Sequence, residues 1–225
     1  MKKYLPTIKK CPLFAGIDDS GLKTLLDCLS ASLVPYEKNS FVFMADDAVT
    51  NIGVVLSGRV HVLKEDFWGN RSILDHIGPG GLFGEAFSCA EVPKLPVSVI
   101  AAEKSDILLV DYRRIIRTCT SACAFHTGLI QNMMRILARK NVMLTQKLEY
   151  VTRRTTREKL LSYLSAQAGQ AGSNSFEIPY NRQELAEYLS VDRSAMSGEL
   201  GRMRDDGILR FHRNSFELLD MESLG

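Results

Sequence analysis

From residue 130 to residue 151 an apolar position returns alternately four and three residues apart, at Ile130, Met134, Leu137, Asn141, Leu144, Leu148 and Val151. A period of 3.5 residues held for about three repeats is the mark of a helix that packs along one straight seam. It predicts one long helix over residues 121–152. The seam reads as a dimerisation surface, because Asn141 is its single polar member and such an asparagine fixes register and partner number. Arg135, Arg139, Lys140 and Lys147 lie off the seam, where solvent would take them. Packing of the same stripe on its own domain is the alternative reading.

The stretch before this helix has a different grain. Residues 18–30 read as a short helix capped by Asp18 or Asp19, with Leu22, Leu25, Leu26 and Leu29 at helical spacing. Residues 33–111 then alternate short β-type runs with glycine turns. Val54–Leu56 stops at Ser57-Gly58, and Val60–Leu63 resumes. Gly69-Asn70 divides that run from Ser72–Leu74 as a two-residue hairpin turn would, and Pro79-Gly80-Gly81 breaks the chain again. Val97–Ala101 and Ile107–Val110 follow. Short strands with regular turns point to an antiparallel sandwich or barrel rather than a parallel sheet.

The chain has 225 residues, enough for one large or two modest domains, and 45% hydrophobic with 24% charged residues allows a packed core. Net charge is 28 − 26 = +2, too small to imply nucleic acid by itself. The first residues, MKKYLPTIKKCPLF, lack the apolar centre of a signal peptide, and no apolar run approaches the ~20 residues of a membrane span. The five cysteines, Cys11, Cys28, Cys89, Cys119 and Cys123, form no CxxC pair. They read as reduced thiols of a cytoplasmic protein. Cys119 and Cys123 are four apart and could share a helix face, a weak metal or redox signal.

Residues 153–225 form a third region: a helix over about 154–168, a polar linker at 169–174, a strand at 176–178, two helices and a hairpin. Asn181 followed by Glu184 opens the first of the two helices as a capping box. Leu185, Ala186 and Leu189 make its buried stripe. Ser190-Val191-Asp192 is a tight turn, with Val191 plugging the corner and Asp192 capping the second helix, whose core positions are expected at Ala195, Met196, Leu200 and Met203. The small Ala186 lets two helices cross closely. This is a helix-turn-helix. Its second helix would enter the major groove of DNA with Arg193, Ser194, Ser197, Gly198 and Arg202 outward. Arg193 suits guanine or phosphate, and Gln183 could bind phosphate with the backbone N–H groups at the helix start. Arg182, Asp192 and the wing-tip Arg213 complete the expected DNA-binding set. An ordinary helical hairpin is the bland alternative.

These residues resemble the Crp/Fnr family of bacterial regulators over nearly the whole chain. The resemblance is carried by Cys11-Pro12-Leu13-Phe14, by Ile52-Gly53-Val54-Val55-Leu56-Ser57-Gly58, by Gly69-Asn70-Arg71, and by Gly78-Pro79-Gly80 running into Phe83-Gly84-Glu85. It implies an α+β chain in three parts. These are an antiparallel, jelly-roll-like β-roll sensor domain (residues 1–120), a dimerisation helix (121–152) and a winged helix-turn-helix domain (153–225). It further implies a cytoplasmic homodimer that binds a two-fold symmetric double-stranded operator, touches RNA polymerase if it activates, and is switched by an effector in the β-roll. Binding near Gly84-Glu85 would reorient the dimer helix around Asn141 and set the two reading helices one DNA turn apart.

The departures from the family pattern narrow this. Members that bind cyclic AMP hold the ribose with Gly-Glu and the phosphate with an Arg-Ser pair some ten residues on. Here Gly84-Glu85 is present, but Leu95-Pro96 stands at the Arg-Ser position, and the adenine-bonding positions fall near Met143 and Leu144. A buried phosphate without a guanidinium is costly, and Lys94 lacks the bidentate fork. The expected effector site is therefore Gly84, Glu85, Ala86, Phe87, Leu95, Pro96, Val97, Met143 and Leu144, lined by the loop 87–96, for a small molecule or redox signal other than cyclic AMP. Only Cys11 stands where oxygen-sensing members carry an iron–sulfur cysteine cluster. Haem-binding members use a β-roll histidine; His61, His76 and His126 are the candidates, and no cofactor is expected. In the reading helix many members carry Glu at the position of Ser194 and Arg at that of Gly198, so only Arg193 is retained and the operator should differ from the usual one. Two other classes are weaker. A cupin-type enzyme needs a metal-ligand spacing that His61, His76 and Glu85 do not show. A regulatory module acting on a partner protein would leave the helix-turn-helix unexplained. No Ser-His-Asp, phosphate-loop or paired-carboxylate pattern suggests another enzyme.

Overall fold

A computed structural model describes residues 2–65, 68, 71–116 and 124–219. The chain divides into two compact units, residues 1–138 and 139–225. The division falls inside the long helix.

The first unit opens with a short helix α1 (Leu5–Lys10), a single helical turn at Pro12–Phe14, and α2 (Asp19–Cys28). Asp18 caps α2 as its sequence suggests, its carboxylate accepting the Gly21 N–H at 2.8 Å. The β-region follows as β1 (Ser32–Tyr36), β2 (Phe41–Phe43), β3 (Asn51–Ser57), β4 (Val60–Glu65), β5 (Arg71–Ile77) and β6 (Leu82–Phe83). Then come α3 (Glu85–Cys89), β7 (Ser98–Ala101), β8 (Ser105–Asp111) and α4 (Tyr112–Ile116). The strands make two antiparallel sheets, in the orders β1-β8-β3-β6 and β2-β7-β4-β5. This is the expected β-roll, with no closed barrel. β4 and β5 pair as a hairpin from Val60↔Ile77 to Glu65↔Arg71; its expected turn at Gly69-Asn70 lies outside the described residues.

The continuous apolar run of β3 has a simple cause. Ile52, Val54 and Leu56 face a helical layer, together with Leu108 and Val110 of β8. Val55 and Ile107 face the opposite way, into the space between the two sheets, with Phe43, Val60, Ile77, Phe83, Leu95 and Val99. Successive side chains of a strand point to opposite faces, so a strand between two cores has no polar face to show. The helical layer is α1, α2 and the first half of the long helix α5 (Ala124–Val151), which buries Leu129, Met133 and Ile136 there. Asn132 on the same face is buried and donates to the carbonyls of Leu13 (3.0 Å) and Ala15 (2.9 Å), tying α5 to the N-terminal strap.

Leu137 packs at the edge of this buried face, but most seam residues of α5 lie off it. Met134 is 66% exposed, Leu144 66% and Leu148 60%, while Asn141 is exposed and Ile130, Leu137 and Val151 are half-buried. The packing of α5 on its own unit therefore centres on Leu129, Met133 and Ile136, with Leu137 joining it from the 3.5-residue seam.

The second unit continues from the end of α5 with α6 (Thr156–Ala171), β9 (Ser175–Glu177), α7 (Arg182–Leu189), α8 (Arg193–Asp205), β10 (Leu209–His212) and β11 (Ser215–Leu218). Thr155 and Glu158 form a capping box at the start of α6. α6 runs to Ala171, through the first half of the expected linker, and ends on Gly172 in the left-handed conformation. The strands form one small sheet, β10-β11-β9. Its core joins Leu160 and Leu164 of α6 to Leu185, Ala186 and Leu189 of α7 and Met196, Leu200 and Met203 of α8. Tyr150, Tyr163, Tyr180 and Tyr188 pack ring against ring beside it, with Tyr180 and Tyr188 4.8 Å apart, and burial pushes the Tyr188 phenol up to about 12.

Candidate nucleic-acid interface and sensor site

The helix-turn-helix is built as the residues suggest. Asn181 Oδ1 accepts the N–H groups of Gln183 (2.9 Å) and Glu184 (3.0 Å), and Glu184 returns a carboxylate to the Asn181 N–H. Ser190 ends α7 in the left-handed conformation with φ of 52°, and Asp192 caps α8 by accepting the Ala195 N–H at 2.7 Å. Two consequences follow for the expected phosphate contacts. The N–H groups of Gln183 and Glu184 at the start of α7 are already engaged by Asn181. The Gln183 amide donates to Glu187 at 2.7 Å.

α8 presents Arg193, Ser194, Ser197 and Gly198 to solvent, as expected. Among the described residues Arg193 has no ion-pair partner. Ala195 departs from expectation: it is exposed, and the core stripe is Met196, Leu200 and Met203. One residue is about 100° of helix turn, so Ala195 lies round the helix from Met196. The fourth position of that face is Glu199, only 8% exposed, which sequence reasoning missed. Its carboxylate pairs with Arg202 and with Arg157 of α6 (3.4 Å), and Arg157 also reaches Asp206 at 2.7 Å. Arg202 is thus held along the helix by Glu199, with its side chain still 66% exposed.

The wing is the hairpin β10–β11 with Arg213-Asn214 at its tip, and Arg213 has φ of 53°. Arg182 stacks its guanidinium over Phe211 (4.7 Å) and Phe216 (5.0 Å), and burial holds its pKa below the usual arginine range. A cleft between the start of α7 and the wing tip is lined by Tyr180, Asn181, Arg182, Arg213 and Asn214. Two arginines thus flank one opening beside the reading helix.

In the first unit the expected effector residues divide sharply. Gly84 has φ of 80°, and a side chain there would meet the Phe43 ring. Glu85 begins α3 and is 2% exposed. Phe87 is half-buried against the inter-sheet core, Leu95 is part of that core, Val97 is buried, and Ala86 and Pro96 are exposed. The Leu95 backbone is pinned to the turn at residues 46–47 by two hydrogen bonds, Asp46 N–H to Leu95 O at 2.9 Å and Leu95 N–H to Asp47 O at 3.0 Å. The position where a cyclic phosphate would need a guanidinium thus holds a packed leucine. Lys94 is exposed, and no lysine or arginine is buried among the described residues. Met143 and Leu144 are exposed on the second half of α5.

The histidines are scattered. His61 and His76 face each other across β4 and β5 with perpendicular rings 4.4 Å apart, while His126 is buried at the start of α5. No three His, Cys, Asp or Glu side chains among the described residues gather in a metal-binding group. Cys11 is fully buried, and burial pushes its thiol up to about 11. Cys119 and Cys123 lie outside the described residues.

Two family models match the chain: the cyclic nucleotide-binding domain over residues 33–121 and the Crp-like helix-turn-helix domain over residues 158–225. This chain belongs to the Crp/Fnr family of DNA-binding transcription regulators. It is 24% identical over 214 residues to the cyclic AMP receptor protein of Thermus thermophilus, covering 94% of each chain. It is 22% identical over 191 residues to the transcriptional activator FnrA of Stutzerimonas stutzeri, covering 83% of this chain and 76% of that one. Among solved structures, the c-di-GMP-responsive global regulator CLP of Xanthomonas campestris shares the fold with a TM-score of 0.59 at 18% identity, over 91% of this chain and 100% of that one. Two relatives of this Crp/Fnr regulator, FnrA and the btr protein of Bordetella pertussis, are named as transcriptional regulators. No helix among its described residues is long and apolar enough to cross a membrane.

Proposed function

We propose that this regulator is a cytoplasmic homodimer joined along the α5 seam, that it reads a two-fold symmetric operator with Arg193 as the main base contact, and that its effector is a small molecule or redox signal other than cyclic AMP. The observation that carries the effector part is the charge of the sensor interior. Glu85 is buried there, and the Arg-Ser position holds Leu95 inside an apolar core. A phosphate brought into that place would lose its hydration, and no lysine or arginine among the described residues is buried there to replace it. The Thermus relative is named for cyclic AMP, so the comparison is a direct one. Calorimetric titration with millimolar cyclic AMP should show no saturable heat; micromolar binding would refute the reading.

The dimer rests on the seam. Met134, Leu144 and Leu148 form an exposed apolar stripe on one helix, and Val142 (58%) and Met143 (64%) are exposed further round it. Light scattering should give twice the chain mass for the parent. The double variant Leu144→Asp/Leu148→Asp should give the single-chain mass with its melting curve little changed. For the operator, Arg193→Ala should weaken specific binding in a gel shift by about ten- to a hundredfold, the worth of one good base pairing of ~1–3 kcal/mol. If the regulator activates, RNA polymerase is the further partner, since a dimer bound upstream must touch it to act.

A further inference from the structure

We propose that Cys28 and His126 form a thiol–imidazole pair that makes Cys28 a site of oxidation by hydroperoxides. Cys28 is the last residue of α2 and is half-buried. His126 stands in the first turn of α5 and is 2% exposed. Cys28 Sγ lies 3.9 Å from His126 Nε2, within reach of a sulfur hydrogen bond. The other ring nitrogen, Nδ1, is buried with no hydrogen-bond partner among the described residues.

A buried imidazole nitrogen without a partner costs free energy that folding normally avoids, and such exceptions gather at sites with chemistry to perform. Here, among the described residues, the ring's polar contact on this side is a thiol. That is the arrangement by which a base activates a cysteine: the imidazole takes the S–H proton and leaves a thiolate, which is the nucleophile. The surroundings pull in both directions. The C-terminal end of α2 and the neighbouring Asp27 disfavour a thiolate. The N-terminal end of α5 favours negative charge, and Arg114 of α4 reaches over to the Cys28 carbonyl at 3.4 Å. The other described thiols lack a base. Cys11 is sealed and its pKa is pushed up by burial, and the Cys89 pKa is raised by burial and then by Glu85.

The reaction balances as follows. The Cys28 sulfur attacks one peroxide oxygen, an S–O bond forms, and the O–O bond breaks. The proton held at His126 goes to the departing hydroxide. Thiol and hydrogen peroxide become sulfenic acid and water, sulfur being oxidised by two electrons and peroxide reduced by two. The added oxygen enters the contact between α2 and α5, so the product changes the packing at the start of the helix that carries the seam.

The test is peptide mapping of the full chain, purified reduced, after exposure to hydrogen peroxide with dimedone as sulfenic-acid trap. Iodoacetamide labelling rates at each cysteine are measured in parallel. Cys28 should be trapped first and label at least about tenfold faster than Cys89 at neutral pH. His126→Gln should slow Cys28 by about tenfold or more, a modest share of what a positioned base supplies, and leave the Cys89 rate unchanged. Equal rates at Cys28 and Cys89 overturn the proposal, as does a His126→Gln rate equal to the parent's. Should His126→Gln fail to fold, the pH–rate profile of the parent decides. Labelling of Cys28 that persists at lower pH than that of Cys89 supports the pair, and superposable profiles refute it.

Discussion

At Gly53 and Gly58 of the first unit a glycine marks a place where the chain has no room; at Gly198 on α8 of the second it marks a place left open. A Cβ on Gly53 would land inside the Phe83 ring, and one on Gly58 would stand 2.5 Å from the Lys104 carbonyl oxygen. Gly58 also has φ of 78°, a backbone conformation that side chains rarely adopt. Around Gly198 nothing lies within 4 Å of where a Cβ would be. The contrast follows from what each unit packs. β3 is squeezed between two cores and pays for its burial with strict shape. The outward face of α8, at Arg193, Ser194, Ser197 and Gly198, is exposed in its own unit, as the proposed contact with DNA requires. The same residue type is therefore a fixed requirement at Gly53 and Gly58 and an adjustable feature at Gly198.

The largest effect should come from breaking the first half of that contrast. Gly58→Ala combines an unfavourable φ with a clash against backbone, each a cost of ~1–3 kcal/mol. It should destabilise the first unit by about 3 kcal/mol, read as an earlier transition in a denaturant melt. A wild-type melt would mean that the β3–β4 turn is looser than the packing around Ser105 indicates.

The second half is tested at Gly198. Gly198→Arg should fold at least as well as the parent, since arginine exceeds glycine in helix propensity by up to ~1 kcal/mol in a helix interior. It should also restore a second guanidinium to the face that carries Arg193. In a binding-site selection, a guanine preference should appear at one further base pair per half-site, with a discrimination of ~1–3 kcal/mol. An unchanged site would mean that this face of α8 does not sit in the groove.

What the sequence made legible, and what it hid, follows a physical line. The helix caps at Asp18, Asn181 with Glu184, and Asp192 could be read directly, because a cap is a local contract between a side chain and N–H groups two or three residues on. The short β-runs between glycine turns and the long helix α5 were legible because these patterns are local too. Glu199 and Asn132 were not. A charged residue on the core face of α8 reads as solvated until Arg157, 42 residues away on α6, is brought to it. An asparagine inside α5 reads as surface until the carbonyls of Leu13 and Ala15 arrive from more than a hundred residues away. Ala195 was misplaced by one position because a small apolar residue beside a true core stripe carries no phase information. In the sensor the replacement of Arg-Ser by Leu95-Pro96 was visible, but its packing with Phe43 and Val99 depends on how the two sheets close.

The smallest effect concerns charge, and it carries the crowding of the first unit into pH. His61 and His76 face each other across β4 and β5, and the His61 pKa is lowered first by burial, then by His76 and by Arg59. A histidine with a lowered folded pKa binds its proton more weakly folded than unfolded. The unfolded chain therefore takes up more protons as the pH falls through the imidazole range near ~6.5, and stability rises with pH across that window. The stabilisation is present above the unfolded pKa and is lost on acidification. The first-unit transition should thus come earlier at about pH 5.5 than at about pH 7.5, and His61→Gln should flatten part of that dependence. If parent and His61→Gln respond to pH identically, burial and the neighbouring His76 do not hold the proton off His61, and the crowding that distinguishes the first unit stops at its apolar cores.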